Sequence, residues 1–481
     1  MSARISLTVG AGLTVGAALL LSACSLAPRY KGPPSVAPVA QFKEAGDWLP
    51  AAPADTVPRG AWWQVFGDPK LNELEARLRE DNQDLRAAVA RFQQARALSL
   101  GARSSLGPAI EANAQATRAR LSANSPLASA GPVTSNDFVG SLGLSWEIDV
   151  FGRLRNQAAA AADRAEARAA DLAAVDLALR AELAMDYFSL RGADATLRLL
   201  EETTAAYDRA ADLTRHRYEG GIAAATDVDQ AETQLQDARG QLAAVRLQRA
   251  QLEHAIAVLL GLPPSNFTLA PAPFTGEPPP LDIGLPSKLL ERRPDIASAE
   301  RAVAAANAEI GAARAAWFPV FTLNAAGGFE ATSTAAWFTA PSRFWSAGPS
   351  GQLPLLDFGG RAAVNRQARA AYDEAVASYR KAALTAYQEV EDNLAALRHL
   401  ADEVKADDAA AASAQRSAYH ADRRYAAGVA DYIEVTSTHT AALQAQRSAL
   451  EARVQRINAS VGLVRALGGG WTGEQLQQPA L

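Results

Sequence analysis

Residues 102–114 read ARSSLGPAIEANA, and residues 313–325 read ARAAWFPVFTLNA. The two stretches share an Ala-Arg pair, a proline and an Asn-Ala pair, each separated by 211 positions (313 minus 102). A proline suits the start of a strand because it lacks an N–H donor and biases the preceding residue towards extended geometry. Each stretch is therefore predicted to mark the place where a helix ends and a strand begins.

The duplication continues beyond these stretches, and an internal repeat decides the architecture of a chain. Asp149-x-x-Gly152-Arg153 recurs as Asp357-x-x-Gly360-Arg361, and Arg217-Tyr218-x-x-Gly221 recurs as Arg424-Tyr425-x-x-Gly428. The first motif predicts tight turns out of a strand at Gly152 and Gly360, where the aspartates accept hydrogen bonds from the next helix start. The second motif predicts helical hairpins that reverse at Gly221 and Gly428.

Long helices are predicted between the repeated turns. Proline is absent from 133–262 and from 355–478, and both intervals are rich in Ala, Leu, Arg, Gln and Glu. These residues are good helix formers, so both intervals are predicted to contain long helices. A helix over 153–217 would be about 95 Å long at 1.5 Å per residue, which predicts an elongated assembly.

Two segments in each half change from helical to strand periodicity. Apolar and polar positions alternate in 110–118, 138–149, 321–330 and, more weakly, 344–356. A period of two predicts strands with one apolar and one polar face, arranged as β-hairpins at about 108–150 and about 319–357. Each half therefore runs helix, strand, strand, helix, turn, helix.

The N-terminal segment has the layout of a signal peptide, with an apolar run and small residues before Cys24. The run resembles the lipobox of bacterial lipoproteins, which implies cleavage before Cys24 and acylation of the new N-terminus. The alternative is an ordinary signal peptide with an incidental cysteine. The predicted organisation is a signal peptide (1–23), a lipidated tether (24–60), two repeats (61–270 and 271–470) and a C-terminal tail (471–481).

The composition argues against several functional classes. A balance of 47 basic and 52 acidic residues gives no sign of a nucleic-acid partner. We find no nucleophile with a spaced base, no cluster of metal ligands and no Gly-rich phosphate loop, so an enzyme is not expected. Neither a metal nor a cofactor is expected, apart from the lipid on Cys24.

Four predicted strands cannot close a barrel by themselves. In a lipid bilayer an open sheet edge leaves backbone groups unsatisfied, at several kcal/mol each. Strands from several copies must therefore pool, and three copies supply twelve strands, a number within the range of outer-membrane barrels. Two copies with eight strands remain open on this argument alone.

Further motifs occur in a fixed order on the duplicated frame. They are Trp62-Trp63 with Phe66-x-Asp68-Pro69-x-Leu71, Arg292-Arg293-Pro294-Asp295-Ile296 with Glu300, Ala306-Asn307-Ala308-x-Ile310-Gly311-x-Ala313-Arg314, Phe318-Pro319 and Leu355-Leu356-Asp357-x-Gly359-Gly360-Arg361. Together they resemble the TolC-like outer-membrane factors, and within that family the lipoprotein branch of NodT-type and OprM-type efflux channels. The resemblance covers nearly the whole mature chain.

The resemblance implies a mainly α fold with membrane β: a homotrimer whose twelve-stranded β-barrel in the outer membrane continues as a long periplasmic α-helical barrel. It also implies a passive exit duct that docks onto a periplasmic adaptor and receives cargo from an inner-membrane transporter. Small organic compounds from a resistance-nodulation-division transporter fit best, with type I protein secretion as the alternative. Ser25 follows Cys24 where an aspartate would favour the inner membrane, which indicates a lipid anchor in the outer membrane.

The resemblance also assigns roles at the two predicted hairpin tips, about 217–228 and about 424–435. The turns of these tips correspond to the part of the family that meets the adaptor. The residues predicted to dock the adaptor are Tyr218, Gly221, Tyr425 and Gly428.

Acidic residues just after the turns line the narrowest part of the duct in this family. The residues predicted to form the periplasmic gate are Asp227, Glu434, Tyr425 and Arg424. The second tip lacks, in 429–431, an arginine with which some members latch the closed state, and Arg423 and Arg424 are the candidates to replace it. The alternative for both carboxylates is an ordinary solvated helix surface.

Two other interpretations use the same long helices. A coiled-coil scaffold lipoprotein that does not conduct has no need of an amphipathic strand such as 138–149. A periplasmic adaptor carries a single helical hairpin with β-rich flanking domains, whereas this sequence predicts two hairpins and more helix. The sequence therefore favours a channel over both.

Overall fold

The computed structural model describes the chain in five stretches, 26–33, 42–45, 61–122, 134–279 and 293–469. The predicted signal peptide, Cys24, most of the tether and the tail 471–481 lie outside the described residues. Short 3₁₀ turns at Lys43–Ala45 and Trp62–Phe66 precede the first long helix.

The described residues form seven α-helices and four β-strands. The first half contains α1 (Pro69–Asp81), α2 (Gln83–Ser104), β1 (Ala109–Arg120), β2 (Thr134–Ile148), α3 (Arg153–Glu219) and α4 (Ala225–Leu259). The second half contains α5 (Pro294–Ala315), β3 (Val320–Ala331), β4 (Arg343–Gln352), α6 (Gly360–Ala426) and α7 (Tyr432–Ala466). The predicted order of helix, strand, strand, helix, turn, helix is confirmed in both halves.

Corresponding helices of the two halves have equal lengths. The helices α3 and α6 contain 67 residues each, and α4 and α7 contain 35 residues each. Their first residues are separated by 207 positions in both cases (360 minus 153, and 432 minus 225). The helical part of the duplication is therefore preserved without a net insertion or deletion.

Two compact units divide the chain, and each contains parts of both halves. Of the described residues, the sheet unit contains 26–33, 91–122, 134–168 and 298–379. The hairpin unit contains 42–45, 61–90, 169–279, 293–297 and 380–469. The repeats are therefore units of duplication, whereas each compact unit is built from corresponding segments of both repeats.

The sheet unit contains one antiparallel sheet in the order β1-β2-β3-β4. Directly opposed residues share a face, so the register defines both faces across all four strands. One face carries Ile110, Phe138, Leu142, Leu144, Trp146, Ile148, Phe321, Leu323, Phe329 and Trp345, with Arg118, Asn136 and Arg343 near one end. The other carries Glu111, Asn113, Gln115, Ser141, Ser145, Glu147, Thr322, Asn324, Ser346 and Ser350, interrupted by Val139 and Phe344. The sheet is therefore amphipathic as a whole.

The loops from the sheet into the long helices correct one expectation from the sequence. Gly152 and Gly359 have positive φ angles of 77° and 93° and directly precede α3 and α6. Gly360, which the motif pairs with Gly152, is instead the first residue of α6. The second loop is one residue shorter between its aspartate and its Phe-Gly pair, so the left-handed position falls on Gly359.

The aspartates of these loops accept the expected hydrogen bonds. The backbone N–H of Arg155 donates to Asp149 Oδ2 at 2.7 Å, and that of Arg361 donates to Asp357 Oδ2 at 2.8 Å. Both donors lie in the first turn of a helix, where backbone N–H groups have no partner within the helix. The carboxylates therefore stabilise the starts of α3 and α6.

Small side chains allow the helices of the hairpin unit to pack closely. One buried cluster near the helical turns contains Tyr207, Ala211, Ala231, Leu235, Ala238, Ala421, Tyr432 and Val435. These residues come from α3, α4, α6 and α7, so both helical hairpins contribute to the same core. This shared core holds the two turns together.

Candidate gate and docking site at the helical turns

The chain reverses at both predicted tips through the same type of helix end. Gly221 and Gly428 each have a φ angle of 73°, a left-handed conformation that favours glycine. In the first tip the Gly221 N–H donates to the Tyr218 carbonyl at 2.9 Å, and the Ile222 N–H donates to the Arg217 carbonyl at 2.8 Å. The second tip has the same two bonds, at 3.0 Å each. The two turns are therefore equivalent in backbone structure.

Tyr425 connects the two hairpins through its ring. The Arg217 guanidinium of the first hairpin lies over this ring, 4.7 Å from its centroid. The Tyr432 ring packs edge-on against it with the centroids 5.4 Å apart. A cation over an aromatic face and an edge-to-face ring pair are both attractive. Tyr425 is thus a structural link in addition to its predicted roles in docking and gating.

Arg424 and Glu434, two of the predicted gate residues, form an ion pair. The Arg424 Nε lies 3.1 Å from Glu434 Oε1, and both side chains are exposed. Because an exposed pair is screened by water, it contributes only about 0–1 kcal/mol to stability. Arg423, the other candidate latch, donates from Nε to the Tyr419 hydroxyl at 3.1 Å. Arg424, and not Arg423, is the arginine that pairs with a predicted gate carboxylate.

Asp227 is placed differently from its counterpart Glu434. Its carboxylate accepts the backbone N–H of Ala224 at 3.1 Å, and its own N–H donates to the Ala224 carbonyl at 3.1 Å. This is half of a capping box, since Ala224 has no side-chain acceptor to complete it. Asp227 is half-buried and stabilises the start of α4.

Tyr432 lies beneath the turns and was not identified from the sequence. Its side chain is only 4% exposed. Burial raises the pKa of its phenol to about 12, and the neighbouring Tyr425, Tyr207 and Asp227 act in the same direction. The only sequence signal for this position is its spacing, seven residues after Tyr425 across the predicted turn. Arg217 was also missed as a partner, although the repeat aligns it with Arg424.

Exposed apolar side chains surround the predicted docking residues. Tyr218, Ile222, Val429 and Ile433 are large, apolar or aromatic, and exposed. Gly221 and Gly428 are exposed too, and each has open space where a side chain would begin. Several exposed apolar side chains on two neighbouring turns are a feature that binding surfaces for other proteins share.

The described residues contain no group of three or more His, Cys, Asp or Glu side chains that is suited to hold a metal ion. Among the described helices, none combines the length and the apolar character that a membrane-spanning helix requires.

Comparison with known families gives a match over most of the chain. A family model described as outer membrane efflux protein matches residues 75–262 and again residues 285–469. The chain belongs to the outer membrane efflux protein family. The two matched segments coincide with the two halves of the duplication.

Two relatives from Pseudomonas putida are similar over nearly their whole length. The antibiotic efflux pump outer membrane protein ArpC is 33% identical over 96% of this chain and 97% of its own. The toluene efflux pump outer membrane protein TtgF is 36% identical over 95% of this chain and 96% of its own. Both similarities include the sheet unit and the hairpin unit.

A solved structure of the outer-membrane channel OprN superimposes with a TM-score of 0.86 and 30% sequence identity. The match covers 93% of this chain and all of the OprN chain (100%). The chain fold expected from the resemblance to TolC-like channels, mainly α with a β-sheet, is therefore confirmed. This outer membrane efflux protein has the chain architecture of an outer-membrane channel.

Proposed function

We propose that this protein is the exit duct of a tripartite efflux system and that it works as a homotrimer. The observation that carries the proposal is the amphipathic four-stranded sheet, whose outer strands β1 and β4 each have one ladder partner in the described chain. A sheet with a mainly apolar face and two open edges is unfavourable as an isolated unit in lipid, because its edge N–H and C=O groups have no partners there. Three copies joined edge to edge form a closed barrel of twelve strands with the apolar face outside.

The strands have a suitable length for this arrangement. The central strand β3 has 12 residues and is therefore about 40 Å long, which corresponds to a height of about 28 Å at a tilt of roughly 45°. This height is close to the apolar band of about 25 Å in outer-membrane barrels. The polar face then lines the interior of the barrel, where water and cargo pass.

The helical turns are the proposed contact with a periplasmic adaptor and an inner-membrane transporter. Tyr218, Gly221, Tyr425 and Gly428 lie among the exposed apolar side chains of the tips, which supports docking there. In a trimer Asp227 and Glu434 each occur three times. If both rings line the narrow end of the duct, they repel anions and favour cations.

Small organic compounds are the proposed cargo. The similar proteins ArpC and TtgF are named for the efflux of antibiotics and of toluene. Soft metal cations are an unsuitable cargo, because they select thioether and thiolate ligands and this chain has two Met and one Cys. The lipid anchor on Cys24 is part of the same proposal and adds attachment to the outer membrane.

The first test is the mass of the acylated protein after extraction from membranes with detergent, followed by conductance in planar bilayers. A trimer that conducts, and whose loss sensitises cells to small apolar drugs, is the expected result. A monomer contradicts the closed barrel. A trimer without conductance favours the scaffold, and unchanged drug susceptibility with the loss of an exported protein favours type I secretion.

A Cys24→Ser variant tests the anchor separately. Because the proposed barrel is itself embedded in lipid, this variant is expected to lose incorporation of labelled palmitate while it remains in the membrane fraction. Palmitate labelling that persists in the variant contradicts acylation at Cys24.

A further inference from the structure

The loop between β4 and α6 exposes a cluster of large apolar side chains. Leu355, Leu356 and Phe358 are all strongly exposed, and the Phe358 side chain is 93% exposed. Phe358 also has a φ angle of 48°, a left-handed conformation that is strained for any residue except glycine. A strained backbone that presents an aromatic ring to solvent indicates a surface that another molecule covers.

The first half of the chain contains the equivalent loop with its partner in place. Phe151 corresponds to Phe358, since each is followed by a glycine of positive φ and then by the first residue of a 67-residue helix. Within the chain, the Phe151 ring stacks on the Phe318 ring, with centroids 4.5 Å apart and planes 25° apart. Phe318 lies at the corner between α5 and β3. The loop after β2 thus packs on the corner before the neighbouring strand.

The loop after β4 has no such corner beside it among the described residues, because β4 is the last strand of the sheet. A strand added there must run antiparallel to β4 to continue the up-and-down order, and β1 of a second copy has this direction. The end of β4 and the start of β1 also lie at the same side of the sheet. Gln352 at the end of β4 pairs with Val320, and Ala109 at the start of β1 pairs with Ser145 near the end of β2. The corner before β1 therefore falls beside the exposed loop.

We propose that Phe358 packs on the corner formed by Leu106, Gly107 and Pro108 in a second copy of this chain. The proposal rests on the proposed assembly from several copies. Gly107 is the counterpart of Phe318 in the repeat, as Pro108 is of Pro319 (318 minus 107, and 319 minus 108, are both 211). The aromatic ring present at the junction within the chain is therefore missing at the junction between chains.

The corner before β1 has room for the Phe358 ring. A Cβ atom built on Gly107 meets only the Ser104 carbonyl oxygen, at 3.6 Å. Apolar surface is available on both sides, because Leu100 in α2 and Ile110 in β1 are exposed. The contact is heterologous, since the loop of one copy meets the corner of the next, and such contacts close into a ring when the rotation allows it. Burial of the ring in every copy then offsets the strain at Phe358.

Crosslinking tests which molecule covers the Phe358 side chain. The residue is replaced by benzoyl-phenylalanine in the full-length acylated protein, and intact membranes are irradiated before extraction. We expect a product of twice the chain mass, in which the probe is joined to a peptide that contains residues 106–110. Crosslinks to lipid alone, or to another protein, would overturn the proposal.

A double-mutant cycle tests the same contact through the stability of the assembly. Phe358→Ala is expected to lower the temperature at which the detergent-extracted oligomer dissociates. Gly107→Phe is expected to raise this temperature, because it supplies the ring that Phe318 provides within the chain, but not in the Phe358→Ala background. Phe338→Ala is the matched control, since Phe338 is 69% exposed and lies in the opposite turn, between β3 and β4.

The outcomes separate this inference from the proposed function. A wild-type protein that is monomeric in detergent contradicts the assembly and with it the contact. An oligomeric wild-type protein whose dissociation temperature is the same in Phe358→Ala and in Phe338→Ala contradicts the contact alone. Additive effects of Phe358→Ala and Gly107→Phe on the dissociation temperature would also contradict the contact alone, because additivity shows that the two sites do not interact.

Discussion

The two helical tips have the same backbone but different side-chain partners. Arg217 and Arg424 are equivalent in the repeat, yet Arg217 lies over Tyr425 of the other hairpin and Arg424 pairs with Glu434 of its own. Asp227 and Glu434 are equivalent as well, yet Asp227 binds the backbone of its own helix start. The arginine of the second tip therefore binds within its own hairpin, whereas the arginine of the first tip binds the other hairpin.

The two carboxylates occupy the same position, the third residue of α4 and of α7, and bind different partners. Asp227 turns back onto the N–H group three residues before it, which caps the helix. Glu434 instead pairs with the arginine on the facing helix. Duplication thus conserved the fold of the tips while the second carboxylate became available for a contact between helices.

The largest expected effect comes from removing the ring that joins the two tips. Tyr425→Ala deletes the contacts to Arg217 and Tyr432, and we expect the local stability of both tips to fall by about 2 kcal/mol. Hydrogen exchange of the backbone amides in 217–228 and 424–435 measures this loss. Tyr218→Ala is the control at the exposed tyrosine of the first tip. Equal effects of the two substitutions would contradict the asymmetry.

The second-largest expected effect is a loss of tip stability at alkaline pH. The pKa of Tyr432 is raised from 10.0 to about 12, so the folded tip favours the neutral phenol. The resulting stabilisation is complete below the ordinary pKa of 10.0 and is lost as the pH rises through about 12. Hydrogen exchange of the tip amides should therefore accelerate between pH 10.0 and about 12 by more than the rising hydroxide concentration alone produces. Tyr432→Phe should lack this additional acceleration, and an unchanged profile would exclude Tyr432 as its source.

Glycine substitutions test whether the two backbones are equivalent. Gly221→Val and Gly428→Val should each cost roughly 1–2 kcal/mol, because valine is strained at a positive φ. Local hydrogen exchange at the two turns should respond equally. Gly240→Ala, in the interior of α4 with open space around it, should instead gain up to about 1 kcal/mol. Clearly unequal losses at the two turns would show that tertiary contacts outweigh the backbone.

The smallest stability effects are expected at the two carboxylates. Asp227→Ala should cost about 1 kcal/mol through the lost cap, and Glu434→Gln should cost less than about 0.5 kcal/mol as an exposed pair. Their larger effect is expected on the reversal potential in planar bilayers, where the double variant should lose cation selectivity. Unchanged selectivity would remove both residues from the narrow part of the duct.

The sequence was sufficient to predict most of the fold. Proline spacing and helix formers predicted α3 within two residues of its observed end, since the helix was expected to end at Arg217 and ends at Glu219. The apolar alternation in 138–149 predicted β2, and the offset of 211 predicted where β1 and β3 begin. Helix formers, prolines and apolar alternation act within one segment, and the repeat transfers each prediction from one half to the other.

The partners of the site residues could not be predicted in the same way. The repeat places Arg217 and Arg424 at equivalent positions and therefore predicts equivalent contacts. In the folded chain, however, Arg217 lies over Tyr425, whereas Arg424 pairs with Glu434. Tyr432 was missed because its burial depends on four helices that meet only in the folded chain. The one-residue shift from Gly360 to Gly359 was missed because the motif aligned the aspartates and not the helix starts.

The equal lengths of the matched helices restrict how this chain can vary. One residue inserted in α6 but not in α3 would advance the second tip by about 1.5 Å and rotate it by about 100° around its axis. Arg217 and Tyr425 would then point in different directions, and the ring at position 432 would leave the shared core. Changes of helix length are therefore compatible with this pair of tips only when both halves change together. The duplicated gene segments remain coupled in length even where their side chains have diverged.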